Sequence, residues 1–132
     1  MRTNNEPVNT TMKLSPIAVL AGVALFLTAC APSGRVVEIR MASDERGNYF
    51  DPARVEVNRG DVLRFTLASG IHNASFPADK NPGKTGLPAP TELLQTAGQT
   101  KDVPVDLAPG EYTYQCDPHA VLGMIGKVVV KD

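Results

Sequence analysis

The stretch Tyr112-Thr-Tyr-Gln-Cys116-Asp-Pro-His119-Ala-Val-Leu-Gly-Met124 places a thiol, an imidazole and a thioether at Cys-x₂-His-x₄-Met spacing. The only other histidine in the chain, His72, stands well upstream. These four side chains are the set a mononuclear, electron-transferring copper site needs. Two imidazoles and a thiolate form a trigonal plane, with a weak, long axial Met. Thiolate and thioether suit Cu(I) while imidazole also suits Cu(II), so neither redox state is strongly disfavoured. At this spacing one loop between two strands supplies Cys116, His119 and Met124, and His72 closes the site from elsewhere. Met41 falls in a strand pattern and reads as core, a common use of methionine.

Other uses of the same side chains fit less well. Structural zinc sites usually carry paired Cys-x₂₋₄-Cys spacings that this chain lacks. A Cys–His nucleophilic pair has no evident third group to orient its imidazole. Haem attachment needs Cys-x-x-Cys-His, which is absent. An electron carrier is therefore the primary expectation, not an enzyme. A copper scavenger or delivery protein using the same ligands is the alternative.

The elements that must position these residues read as short β-rich runs separated by Gly, Pro, Asn and Asp. Strands are expected over 36–41, 53–57, 61–68, 73–76, 100–107, 112–116 and 125–131. Leu63, Phe65 and Leu67 alternate with Arg64, Thr66 and Ala68, as a half-buried strand requires. Tyr112, Tyr114 and Cys116 share one face by the period of two. Leu107-Ala-Pro-Gly-Glu-Tyr112 has the form of a tyrosine corner. Thr91 to Ala97 is expected to form a helical turn or two, with Thr91 as N-cap and Gly98 as stop. The absence of βαβ alternation argues against a parallel sheet. The expected fold is all-β, a Greek-key β-sandwich over residues 35–132.

Residues 1–29 read differently. An apolar run over 14–29 follows Met12-Lys13 and is shorter than the roughly 20 residues of a membrane span. It has the form of a secretory signal ending in small residues. Leu27-Thr-Ala-Cys30 resembles a bacterial lipobox, in which Cys30 becomes the acylated first residue. Translation from Met12 would leave Lys13 as the positive charge before the apolar run. Residues 30–34 would then be a lipidated tether, and the protein an exported one, anchored to a membrane in the bacterial cell envelope. With Cys30 acylated, Cys116 has no disulfide partner, and binding a metal as thiolate accounts for it. The 13 Lys+Arg and 14 Asp+Glu give a net charge of −1, without the basic stripe that nucleic-acid binding needs. One small monomeric domain is expected.

Several stretches of the exported part resemble the plastocyanin family of cupredoxins. They are Phe50-Asp-Pro-Ala-Arg-Val-Glu-Val-Asn-Arg-Gly-Asp61, Ile71-His72-Asn73 and Glu92-Leu-Leu-Gln-Thr-Ala-Gly-Gln-Thr100. Gly110 to His119, with Gly123-Met-Ile-Gly-Lys-Val128, is the most specific of them. The resemblance implies a cupredoxin-like sandwich holding one copper through His72, Cys116, His119 and Met124. It implies that Asn73 ties the two ligand loops together. Donor and acceptor would be redox proteins of cytochrome or oxidase type. Ala78-Asp-Lys-Asn-Pro-Gly-Lys84 departs from the acidic patch of plant plastocyanins. Pro118 fixes one φ between two ligands and stiffens the loop. Val121 and Leu122, apolar and directly after His119, are the expected docking surface.

Overall fold

A computed structural model describes residues 34–132. The leader, Cys30 and all but the last residue of the expected tether lie outside these residues. The strands are β1 (Val36–Asp44), β2 (Gly47–Asp51), β3 (Arg54–Asn58), β4 (Val62–Leu67), β5 (Thr100–Pro104), β6 (Gly110–Gln115) and β7 (Ile125–Lys131). They form two sheets, ordered β2-β1-β4-β5 and β3-β7-β6, facing one another as a sandwich.

The period of two decides which side chains meet between the sheets. Ile39 and Met41 of β1 and Leu63, Phe65 and Leu67 of β4 point inward from the first sheet. Val55 and Val57, Tyr112 and Tyr114, and Val128 and Val130 point inward from the second. Full burial of each such aliphatic side chain is worth about 1.5–3 kcal/mol relative to exposure. Tyr114 lies at the aromatic centre, with ring centroids 4.8 Å from Phe50, 5.4 Å from Phe65 and 5.6 Å from Phe76. The tyrosine corner forms as expected: the Tyr112 hydroxyl donates to the Ala108 carbonyl at 2.8 Å.

As expected, neither sheet is parallel throughout, although both are mixed, and two other expectations, for 73–76 and 91–97, are corrected. Each sheet contains one parallel pair, β1 with β4 and β3 with β7. Parallel neighbours need a crossover, and here no helix supplies it. After the β1–β2 hairpin the chain crosses to the opposite sheet for β3 and returns as β4 beside β1. Residues 73–76 do not form a ladder strand. They lie buried between two neighbours, with isolated bridges His72–Leu94 and Ser75–Gln115. The helix over 91–97 does not form, leaving only a tight turn that starts at Thr96, because the other backbone groups bond elsewhere. Leu94 exchanges both backbone bonds with His72, at 2.8 and 3.2 Å. Thr91 Oγ1 accepts from the Ala74 amide at 3.0 Å instead of capping a helix. The Gln99 side chain takes the Gln95 and Thr96 amides, both at 2.8 Å.

Candidate metal centre

The chain leaves β6 at Cys116 and makes a 3₁₀ turn, Asp117–Leu122, before entering β7. In a 3₁₀ turn, side chains at i and i+3 eclipse one another. Cys116 and His119 therefore project to the same side, which is the local reason for the x₂ spacing. Pro118 stands in the first positions of the turn, where its missing N–H costs nothing. Gly123 ends the turn at φ 87°, a left-handed conformation that favours glycine. Cross-loop bonds then bring Met124 back. The Cys116 amide donates to the Met124 carbonyl and the Met124 amide to the His119 carbonyl, both at 3.2 Å.

His72 arrives from the opposite sheet, on the segment that follows β4, with its backbone paired to Leu94. Its Nδ1 lies 3.1 Å from His119 Nδ1 and 3.6 Å from Cys116 Sγ. The third side of the triangle, His119 Nδ1 to Cys116 Sγ, is 3.4 Å. The point equidistant from these three atoms lies about 2.0 Å from each, close to ordinary metal–imidazole bond lengths. The donor set fits a metal ion on this ground alone. His72, Cys116 and Met124 are fully buried, whereas His119 is partly exposed.

Electrostatics agree with the geometry. Burial pushes the Cys116 thiol up, and only in part do the Asn73 and His119 backbone amides draw it down. Burial, and then the neighbouring His119, hold the His72 imidazole below its ordinary value. The His72 ring nitrogen Nε2 donates to Ser43 Oγ at 2.9 Å, because the Ser43 proton is directed to Asn48 Oδ1 at 2.6 Å. Nδ1 is thereby left with its lone pair facing the centre. A neutral His72 and a thiol forced to ionise by a cation are the states a metal ligand must reach.

Asn73 bridges the two ligand loops. Its Oδ1 accepts from the Asp117 amide at 2.8 Å, and its Nδ2 donates to the Asp117 carboxylate at 2.9 Å. Asp117 also accepts from the Gln115 side chain at 3.1 Å, which pins a carboxylate beside the thiolate. Sequence reasoning did not reach Ser43, Asn48, Ser69 or Gly70, which surround the far side of the His72 ring. One signal was available: Ser43 continues the inward row Ile39, Met41 by the period of two.

Residues 37–131 match the family described as copper binding proteins, plastocyanin/azurin family. The chloroplastic plastocyanin of Tetradesmus obliquus is 32% identical over 127 residues, covering 94% of this chain and 87% of that protein. Oxidised plastocyanin from Dryopteris crassirhizoma superposes with a TM-score of 0.60 at 28% identity, over 72% of this chain and 100% of that one. Pseudoazurin from Methylobacterium extorquens AM1 does so at 0.52 with 30% identity, over 74% of this chain and 76% of that one. His72, Cys116, His119 and Met124 form a type 1 copper site. With that ligand set in this fold, and with the match extending from β1 to β7, the chain belongs to the plastocyanin/azurin family of copper binding proteins.

Proposed function

We propose that this type 1 copper electron carrier works in the bacterial cell envelope, held to a membrane through a lipid on Cys30, and exchanges electrons with redox proteins over Val121 and Leu122. Bound copper supplies a one-electron Cu(II)/Cu(I) couple. The chain's task is to hold the ligands nearly still between the two states. Two strand ends and a tight 3₁₀ turn carry three of them, and groups on rigid elements keep their geometry better than groups on free loops.

One observation carries the route: among the four ligands only His119 reaches the surface. Val121 and Leu122, in the same turn, are 91% and 68% exposed. Ile71, Leu93 and Ile125 are also exposed, and each is adjacent in the chain to a ligand or to Leu94, which pairs with His72. An exposed apolar cluster of this kind marks an interaction surface. The partner we infer is a redox protein with an apolar rim, receiving electrons through the His119 edge. Asp79, Lys80 and Asp117 line the same surface beside Val121 and Ile125, so shape and a few charges of both signs set specificity, without an acidic run at 78–84.

The tests separate site, route and anchor. Copper(II) should bind one per chain with intense visible thiolate charge transfer, and Cys116→Ser should abolish the colour. Cyclic voltammetry should show a reversible one-electron wave; sluggish, irreversible behaviour would favour scavenging. Leu122→Asp, at unchanged spectrum and potential, should slow bimolecular transfer to a partner; an unaltered rate would place the exit elsewhere. Mass spectrometry of the native protein should find acylated Cys30, and an unmodified N-terminus beyond residue 30 would refute the anchor.

A further inference from the structure

We propose that Ser43 and Asn48 form a hydrogen-bond relay that orients His72 and sets the reduction potential of the site, an inference that rests on His72 being a copper ligand. The two residues are a cross-strand pair in the β1–β2 hairpin, Ser43 opposite Asn48. Ser43 Oγ donates to Asn48 Oδ1 at 2.6 Å and accepts from His72 Nε2 at 2.9 Å. The relay runs from the buried imidazole to a half-buried amide at the surface.

Two further features surround this contact. The Ser69 hydroxyl clamps the Ser43 backbone at both ends, accepting from its amide at 2.9 Å and donating to its carbonyl at 2.8 Å. Gly70, at φ 83°, lies directly against the bond. A Cβ at Gly70 would clash with Ser43 Oγ and come within 2.7 Å of His72 Nε2. Position 70 therefore needs glycine for its backbone and for the room the relay occupies.

The electronic consequence has a definite sign. Asn48 draws the Ser43 proton away, so Ser43 Oγ accepts more strongly from Nε2–H. Hydrogen bonds in such chains polarise one another. A stronger bond at Nε2 makes Nδ1 a better donor, and outer partners of ligating histidines are worth about 10–100-fold in metal affinity. The more basic donor favours Cu(II) over Cu(I). Ser43 and Asn48 are positioning residues that act through His72. The Ser69 backbone carbonyl also faces the imidazole, and it is the acceptor that the experiment must separate from Ser43.

The experiment uses the full chain in metal-free and copper-loaded forms. In the metal-free protein, ¹⁵N NMR should show a slowly exchanging His72 Nε2–H whose signal is lost to exchange in Ser43→Ala. With copper, Ser43→Ala should weaken Cu(II) about tenfold relative to Cu(I), a rise of about 59 mV for one electron. Ser43→Thr, which keeps the hydroxyl, should restore both readings. Asn48→Ala should shift the potential in the same direction but less, and Asn48→Asp in the opposite direction. The Asn48 variants do not touch the imidazole, so they report even if Ser43→Ala folds poorly. Unchanged exchange in metal-free Ser43→Ala would show that the Ser69 carbonyl alone holds the proton, and would overturn the relay whether or not copper binds. Equal potentials in Asn48→Ala and Asn48→Asp would overturn it too.

Discussion

Tyr112 and Tyr114 stand two residues apart on the inward face of β6, both buried, and removing their hydroxyls should change stability in opposite directions. The Tyr112 hydroxyl donates to the Ala108 carbonyl at 2.8 Å. A bond of that kind is worth about 1 kcal/mol net. Tyr112→Phe should therefore destabilise by about that amount. The Tyr114 hydroxyl is buried without a hydrogen-bond partner. Burial alone pushes its phenol well above the ordinary value, with no neighbouring charge or donor contributing. Leaving such a group unpaired costs about 1–3 kcal/mol. Tyr114→Phe removes that cost and gives up only the oxygen's dispersion contacts, each about 0.1–0.2 kcal/mol. The net expectation is a gain of about 1 kcal/mol. In a domain of about 100 residues 1 kcal/mol moves Tm by about 4–8 °C. The two variants should thus bracket the parent, Tyr114→Phe above and Tyr112→Phe below. Thermal unfolding should be followed by circular dichroism on metal-free protein, since bound metal would add its own linkage term. A Tm for Tyr114→Phe below that of the parent would mean that the hydroxyl has a partner such as an internal water, and would refute the reasoning.

Other expectations are sharp in sign. Met124→Leu removes the weak axial donor, on which Cu(II) depends more than Cu(I), and should raise the potential measured by voltammetry by about 59 mV or more, a tenfold change in the affinity ratio. Met124→Gln, with a harder oxygen, should lower it; both variants at the parent's potential would make Met124 mere core. Gly126→Ala should destabilise by about 1–3 kcal/mol in denaturant unfolding, because the added Cβ would clash with the Tyr114 ring and come 2.5 Å from its hydroxyl. Asp61 accepts from the Asn58 amide at 2.8 Å and the Arg35 amide at 2.9 Å. The Asn58 amide first, then Arg35, hold its carboxyl below 3.8 against the opposing effect of burial. A depressed carboxyl contributes stability that is fully present above 3.8 and is lost as pH falls through the lower folded value. Asp61→Ala should cost about 2 kcal/mol at neutral pH, and the gap to the parent should shrink in acid; a constant gap down to pH 2 would contradict this.

What could be read from the sequence about this protein was whatever depends on neighbours along the chain. Cys116, His119 and Met124 belong to one turn, so their spacing already carries their geometry, and His72 was the only imidazole left to complete the set. The alternation of β4 and the tyrosine corner are local in the same sense, and both appear where expected. Tertiary structure decided the rest, because a hydrogen bond's partner is not specified by the residue that offers the bond. Thr91 has the chemistry of an N-cap, yet its oxygen meets the Ala74 amide, and Leu94 is claimed by His72. Strand β2 lacks an alternating pattern of its own and exists by pairing with β1. The parallel pairs arise because the chain visits the other sheet between neighbours, a path that no local period records. Ser43 is the plainest case. In the sequence it is a small polar residue near the end of a strand, and only register with Asn48 and the return of the chain after β4 set its oxygen against the buried His72 ring.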